Sequence, residues 1–191
     1  MMLELRIGPI ACDVTGNTSQ FTTTAALEFF GTPDTATVAA CLSLQEAFIK
    51  TDTHQPTQAS LGLPFVFAEL TNLAALSACQ PITDAFRVAA KAHPTPLDFA
   101  IFAYVRDGQT LHARMFAPLD DIPEDPGTGS ACATVTALLS HIAAEPLGFT
   151  IHQGVDMGRP SLIKTQALDG DPRPIQVTGK AVLTMEGRLV F

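Results

Sequence analysis

The stretch EDPGTGSACA, residues 124–133, contains the residue types from which an acid/base site can be built. A carboxylate and a proline, Asp125 and Pro126, come before four small residues that offer backbone or hydroxyl donors: Gly127, Thr128, Gly129 and Ser130. A run of small and apolar residues follows, which predicts a buried helix. Amide N–H groups at a helix start lack intrahelical partners and carry the positive end of the helix dipole, so this order favours binding of a carboxylate or a phosphate.

Asp125 can serve this arrangement in two ways. A carboxylate fixed ahead of Pro126, beside an anion-binding turn, is placed to exchange a proton with a bound acid. Asp is also a common helix cap, a role that needs no substrate. The residues by themselves leave both roles open.

Other uses of a glycine-rich turn are not supported. A nucleotide-binding P-loop needs a Lys after its second glycine, and none is present. Ser130 does not stand in the G-x-S-x-G pattern of a hydrolase nucleophile. The four cysteines, Cys12, Cys41, Cys79 and Cys132, form no CxxC pair and have no His at zinc-ligand spacing, so we expect core residues and neither a metal site nor a disulfide.

The composition of the chain limits the kinds of molecule that it can bind. The chain has 191 residues, 47% of them hydrophobic, which is enough for one sizeable core. Its net charge of −8 disfavours nucleic acid, and no basic amphipathic stretch suggests a membrane surface. The N-terminal MMLELR carries two charges and is typical of a strand, not of a signal peptide. We therefore expect a soluble cytoplasmic protein.

The pattern along the chain predicts an α+β fold. Residues 3–14 and 21–30 resemble a hairpin, and Thr35 is a candidate cap for a following helix. The polar segment 51–62 is predicted as a linker. Strands and short helices alternate up to Asp107, where DG predicts a turn, and short strands make up residues 148–191 after the helix that starts near Gly129.

Three stretches in order carry a family resemblance: RMFAPLDDIPEDP at 114–126, EDPGTGSACA, and HQGVDMGRPSLI at 152–163. They resemble the R-x-F-x-P, E-D-P-x-T-G-S-A and Q-G-x-x-M-G-R-P-S segments of the PhzF-like phenazine-biosynthesis isomerases, which share the diaminopimelate epimerase fold. That fold has two lobes, each a curled antiparallel or mixed sheet around a central helix, with the active site between them. The resemblance extends from about residue 62 to the C-terminus.

The resemblance implies roles for individual residues. Asp125 and Ser130 would be catalytic, Asp125 as the acid/base or as its positioning partner, and substrate would contact Gly127, Thr128, Gly129 and Ser130. His152 is the histidine that we expect near the cleft, as a further substrate contact. Related epimerases have a cysteine directly before G-T-G, whereas this chain has Pro126, which argues against a two-thiol mechanism. Cys132 is expected in the core. The family's chemistry implies no cofactor and no metal.

The family's N-terminal lobe is not recognisable here. Its G-N-P-x-x-V segment, catalytic glutamate and C-G-H-A-T helix start are missing, and GTPDTATVAA at 31–40 echoes them only faintly. We therefore expect residues 1–50 to be a remnant hairpin and crossover of that lobe, and residues 51–191 to be the C-terminal lobe.

Two functions follow from this organisation. The first is an isomerase or epimerase that moves a proton on a small carboxylate-bearing metabolite, with its site completed by a second copy or by a separately encoded N-terminal lobe. The second is an inactive relative that acts as a small-molecule binding or interaction module. Both predict a dimer or a partner, because a single lobe exposes the apolar surface that faces its twin.

Overall fold

The computed structural model describes residues 2–5, 8–188 and 190. It contains four α-helices and two short 3-10 turns among thirteen strands, counted over those residues. The helices are α1 (Thr35–Leu42), α2 (Leu73–Ala78), α3 (Thr83–Ala92) and α4 (Gly129–Ala143). The strands are β1 (Met2–Leu5), β2 (Gly8–Thr15), β3 (Thr18–Thr23), β4 (Glu28–Gly31), β5 (Ile49–Lys50), β6 (Thr57–Ser60), β7 (Pro64–Leu70), β8 (Ile101–Asp107), β9 (Thr110–Ala117), β10 (Ile122–Asp125), β11 (Gly148–Gln153), β12 (Ser161–Ala167) and β13 (Ile175–Lys180).

One mixed sheet connects these strands in the order β1-β2-β3-β13-β12-β11-β9-β8-β7-β6-β4. Neighbours are antiparallel except for the pairs β9/β11 and β7/β8. The short strands β10 and β5 pair with β9 and β7. Helix α4 contacts β6 near one end of this order and also β12 and β13 further along, so the sheet curls around the helix. The predicted α+β lobe with a central helix is confirmed.

Each face of the sheet has its own apolar core. Helix α4 fills one core, and its residues 131–140 are all buried. Most of these side chains are small, which lets the strands approach the helix on several sides. Two buried hydroxyls within this run, those of Thr134 and Thr136, donate to the carbonyls of Ser130 and Cys132, so burial leaves neither unpaired. Helices α1, α2 and α3 cover the other face.

Several local predictions need correction. The predicted linker at 51–62 contains β6, in which Gln58, Ala59 and Ser60 are buried. Its polar composition is compatible with burial because the Gln58 amide donates to the carbonyl of His93, 3.3 Å away. Helix α1 is capped by Asp34, whose side chain accepts from the Thr37 amide, and not by Thr35.

The chain ends differ in part from the sequence interpretation. Strands β2 and β3 form a hairpin at the predicted place, but both predicted strands are divided. The first, 3–14, is split into β1 and β2, which pair with each other, and the second, 21–30, into β3 and β4, of which β4 pairs with β6. Residues 6 and 7 lie outside the described residues. The last strand ends at Lys180, so residues 181–188 and 190 are not in the predicted strands, and residues 189 and 191 are outside the described part. None of the helices in residues 2–5, 8–188 and 190 has the length and apolar character needed to cross a membrane.

The two predicted segments, 1–50 and 51–191, share the sheet. Strand β3 pairs with β13, and β4 pairs with β6. Helix α1 of the first segment packs against α3 of the second. The origin of residues 1–50 in another lobe stays a prediction.

A tight turn after β11 depends on Gly154. This residue has φ +73°, and a Cβ built on it would lie 2.7 Å from the carbonyl oxygen of Pro126 and closer still to that of Arg159. Both neighbours are backbone atoms, which cannot rotate away. Glycine therefore lets the turn at 154–159 pack directly on the chain that leads into α4.

We expect Gly154→Ala to be far more destabilising than Gly158→Ala. Gly158 also has a positive φ, +67°, but open space surrounds its missing Cβ. The left-handed backbone costs about 1–2 kcal/mol at either position. Overlap at residue 154 adds about 1–3 kcal/mol. Urea unfolding of both variants measures the difference, and equal losses of unfolding free energy would show that the close approach to Pro126 is not tight.

Candidate active site

Strand β10 places two neighbouring carboxylates on different partners. Glu124 binds the guanidinium of Arg114, whereas Asp125 turns to the start of α4 and binds Thr128. The pairing of β10 with β9 is irregular, because Ile122 opposes Ala117 and Asp125 opposes Met115. An extra residue in one strand is a β-bulge, a device that changes the direction of a side chain.

The carboxylate of Asp125 is half-buried and shapes the turn that follows it. Its Oδ2 accepts a 2.6 Å hydrogen bond from Oγ1 of Thr128, and its Oδ1 lies 3.4 Å from the Gly127 amide nitrogen. The N-cap position of α4 belongs to Thr128. Asp125 is therefore not the N-cap residue of α4. Its carboxylate accepts bonds from the turn just before the helix, and its acid/base role stays a prediction.

The side-chain amide of Gln153 holds both ends of this turn. Its Nε2 donates to the carbonyl of Asp125 at 2.7 Å and to Oγ1 of Thr128 at 2.9 Å. Its Oε1 accepts from the amide of Thr128 at 3.0 Å. Gln153 has no solvent exposure, so these bonds form where water does not compete. The turn is thus fixed from the last residue of β11.

The first turn of α4 lies directly after the fixed turn. Its first intrahelical hydrogen bond runs from the Cys132 amide to the Thr128 carbonyl, 3.0 Å away. The amides of Gly129, Ser130 and Ala131 therefore have no acceptor within the helix. Gly129 and Ser130 are partly exposed, and Ala131 is buried. This end of α4 can donate to an anion next to Asp125.

A cavity of about 640 Å³ opens beside Gly127. Ser161 lines it, and so do two lysines, Lys164 and Lys180, on β12 and β13. A Cβ at Gly127 would come within 2.9 Å of Ser161 Oγ, so glycine keeps the turn and β12 close together. Ammonium groups around the cavity favour a negatively charged ligand.

Cys132 belongs to the core, as predicted. It is fully buried in α4, and burial raises the pKa of its thiol, with the charge of Asp125 adding to the effect. A thiol held in its protonated form is a poor base. The other three cysteines, Cys12, Cys41 and Cys79, are buried as well. In the described part of the chain, no three His, Cys, Asp or Glu side chains converge at metal-binding distances.

The structure does not bring His152 to the Asp125 turn. Successive side chains of a strand alternate between its faces, and Gln153 already faces the turn. The ring of His152 stacks on that of His112 with centroids 5.2 Å apart. Both rings line a separate cavity of about 270 Å³ with α2 residues such as Leu73. A substrate contact by His152 stays a prediction without support from this arrangement.

The sequence interpretation assigned no role to Gln153. That residue lies inside the QGVDMGRPS stretch, and its position at the end of a strand facing α4 was the available signal. Of the predicted site residues, the structure brings together Asp125, Gly127, Thr128, Gly129 and Ser130.

The chain is similar to known proteins over much of its length. An uncharacterized isomerase of Mesorhizobium japonicum is 28% identical, over 98% of this chain and 67% of that protein. A trans-2,3-dihydro-3-hydroxyanthranilate isomerase of Pseudomonas aeruginosa is 32% identical, over 66% of this chain and 45% of the relative. The chain thus spans between about half and two thirds of the length of these relatives.

Solved structures share the fold. A PhzF-family phenazine biosynthesis protein of Bacillus anthracis superimposes with a TM-score of 0.81 at 19% identity, over all of this chain and 68% of that one. The sequence model of the family described as phenazine biosynthesis-like protein matches residues 2–187. The chain therefore belongs to the phenazine biosynthesis-like, or PhzF, family.

Proposed function

We propose that this protein is an isomerase that moves a proton on a small carboxylate-bearing metabolite without a cofactor, with Asp125 as acid/base. The observation that carries the proposal is the position of Asp125. Its carboxylate is fixed by Thr128 next to the first-turn amides of α4. One bound substrate could therefore contact both the carboxylate and these hydrogen-bond donors. Family members named as isomerases support this reaction class.

The chemistry follows from these two elements. A substrate carboxylate bound by the amides of Gly129 and Ser130, with the Ser130 hydroxyl as a further donor, places its neighbouring carbon near Asp125. Asp125 takes the proton from that carbon, and negative charge moves onto the substrate carboxylate. The amides stabilise this charge as it develops. The proton returns at another carbon or on the other face, and the isomerised product leaves.

The cavity beside Gly127 supports a small anionic substrate. Lys164 and Lys180 line this space together with Gly127, two residues before the first donor amide of α4. One group of relatives is named for trans-2,3-dihydro-3-hydroxyanthranilate, a hydroxy carboxylate with an amino group. We take compounds of this class as the first candidate substrates.

We further propose that another chain completes the site. Proton transfer across a cleft needs a second positioned group, and the Asp125 turn supplies one wall. The relatives are longer than this chain, which covers 67% and 45% of two of them. A second copy in a homodimer or a separately encoded N-terminal lobe would provide the opposite wall. Sedimentation of the purified chain, alone and with candidate lobes, tests this part.

Replacing Asp125 by Asn tests the reaction. The purified protein is incubated in deuterated water with hydroxy and amino carboxylates, and NMR follows deuterium entry at the carbon next to the carboxylate. We expect exchange by the wild type and a loss of at least about a hundredfold in Asp125→Asn, because Asn cannot accept the proton. The matched control is Asp169→Asn, since Asp169 is exposed in a distant turn.

Two outcomes would contradict the proposal. Equal exchange by Asp125→Asn and the wild type would assign the chemistry to another residue. Saturable binding of these acids without exchange, also in the presence of a second lobe, would favour the binding module over the enzyme.

A further inference from the structure

Arg114 of β9 is a buried cation whose guanidinium contacts three separate segments: β10, the end of α2 and the turn after β11, where Asp156 Oδ2 lies 3.8 Å from its Nε. Its Nε and Nη2 each donate to one carboxylate oxygen of Glu124 at 2.8 Å, in a bidentate ion pair. Its Nη1 lies 3.0–3.2 Å from three carbonyl oxygens at the end of α2: those of Leu76, Ser77 and Cys79. Only 9% of Arg114 is exposed. One side chain therefore ties β9 to β10 and to α2.

This arrangement suits both of its partners. The last carbonyls of a helix have no intrahelical donor and carry the negative end of the dipole, so a cation there is stabilising. The planar guanidinium also matches the two oxygens of a carboxylate, which fixes the direction of Glu124 as well as its distance. The Arg114 guanidinium further lies over the ring of Phe116, with 4.9 Å from Cζ to the ring centroid.

Strand β10 is held weakly by its backbone pairing, so the bond between Glu124 and Arg114 matters for its position. It has four residues, and its pairing with β9 shifts between Ile122 and Asp125. A bulge disrupts the ladder locally, so backbone pairing alone holds this strand weakly. Glu124 is the residue directly before Asp125, and its bidentate bond sets the backbone from which the Asp125 side chain leaves.

We propose that Arg114 is a positioning residue, which acts through Glu124 to aim the Asp125 carboxylate at the start of α4. The inference rests on the proposed function for its catalytic consequence. Two anchors then hold the same short segment: Gln153 binds it from β11, and Arg114 binds it from β9 and α2. Loss of the Arg114 anchor should loosen the turn at Asp125 and Thr128 while the core of α4 stays packed.

Amide hydrogen exchange at Thr128 tests the positioning without requiring turnover. The Thr128 amide is bonded to Gln153, so its exchange reports on the turn. In Glu124→Gln we expect this amide to lose about tenfold or more in protection, because a charge-assisted bidentate bond is lost. The amide of Leu138, deep in α4, should keep its protection relative to the change in global stability. The matched control is Glu69→Gln, which removes another buried carboxylate that is paired with a cation, Lys50.

A second variant covers the case in which Glu124→Gln fails to fold. Removing one partner of a buried ion pair is strongly destabilising, whereas replacing both by apolar residues is often neutral. Arg114→Met combined with Glu124→Leu leaves the carbonyls at the end of α2 without this donor, so we expect it to fold with reduced stability. At matched global stability it should still lose protection at Thr128. Unchanged Thr128 protection in the folded double variant would overturn the inference.

Deuterium exchange into substrate separates this inference from the proposed function. If both hold, the double variant lowers kcat and changes KM little, because the amides of α4 that bind the carboxylate are intact. If the wild type shows no exchange with any acid, alone or with a second lobe, the proposed function fails, and the Thr128 result still decides whether Arg114 positions the turn. A rise in KM with unchanged kcat would contradict a role in aiming the acid/base group.

Discussion

The candidate site depends on one buried amide, the side chain of Gln153. A primary amide can donate and accept in the same plane, and here it does both across a single turn, binding the Asp125 carbonyl, the Thr128 hydroxyl and the Thr128 amide. Burying a polar group without hydrogen-bond partners destabilises the folded state. The turn and Gln153 therefore require each other, and their shared geometry places Asp125 beside the start of α4.

The sheet explains why Gln153 can reach the turn. Gln153 is the final residue of β11 and lies next to Ala113 of β9 and Ser161 of β12. The small side chains of its neighbours leave room for the amide under the helix, where Cys132 Sγ approaches Oε1 to 3.8 Å. After Gln153 the chain turns at Gly154, which packs directly against Pro126. Strand, turn and helix thus meet at one point because small residues allow close packing.

The opposite side of β10 has a second buried polar network with a different chemistry. Arg114 and Glu124 carry full charges, and they face the core that α2 covers. Alternation along a strand lets these charges and the Asp125 carboxylate belong to adjacent residues without sharing a face. The charges on one face hold segments of the fold together, and the Asp125 carboxylate on the other face is the group that we propose transfers a proton.

Local sequence patterns predicted the parts of this fold that depend on neighbours in the chain. The order Gly127 to Ser130 ahead of small apolar residues predicted the start of α4, and DG predicted the turn between β8 and β9, where Gly108 has a positive φ. Local patterns did not predict contacts between residues that are far apart in the sequence. Gln153 is 28 residues from Asp125, and the polar segment around Gln58 was interpreted as a linker because its partner, His93, is 35 residues away.

We propose that the turn held by Gln153 makes Asp125 and the first turn of α4 one binding wall for a carboxylate. An NMR titration of the 15N-labelled protein with lactate, a small hydroxy acid, tests it most directly. We expect the amide signals of Gly129 and Ser130 to shift together and to saturate at one dissociation constant, and we expect Gln153→Leu to remove this response in a folded protein. Fixed amide signals at Gly129 and Ser130, with lactate bound elsewhere or not at all, would contradict it.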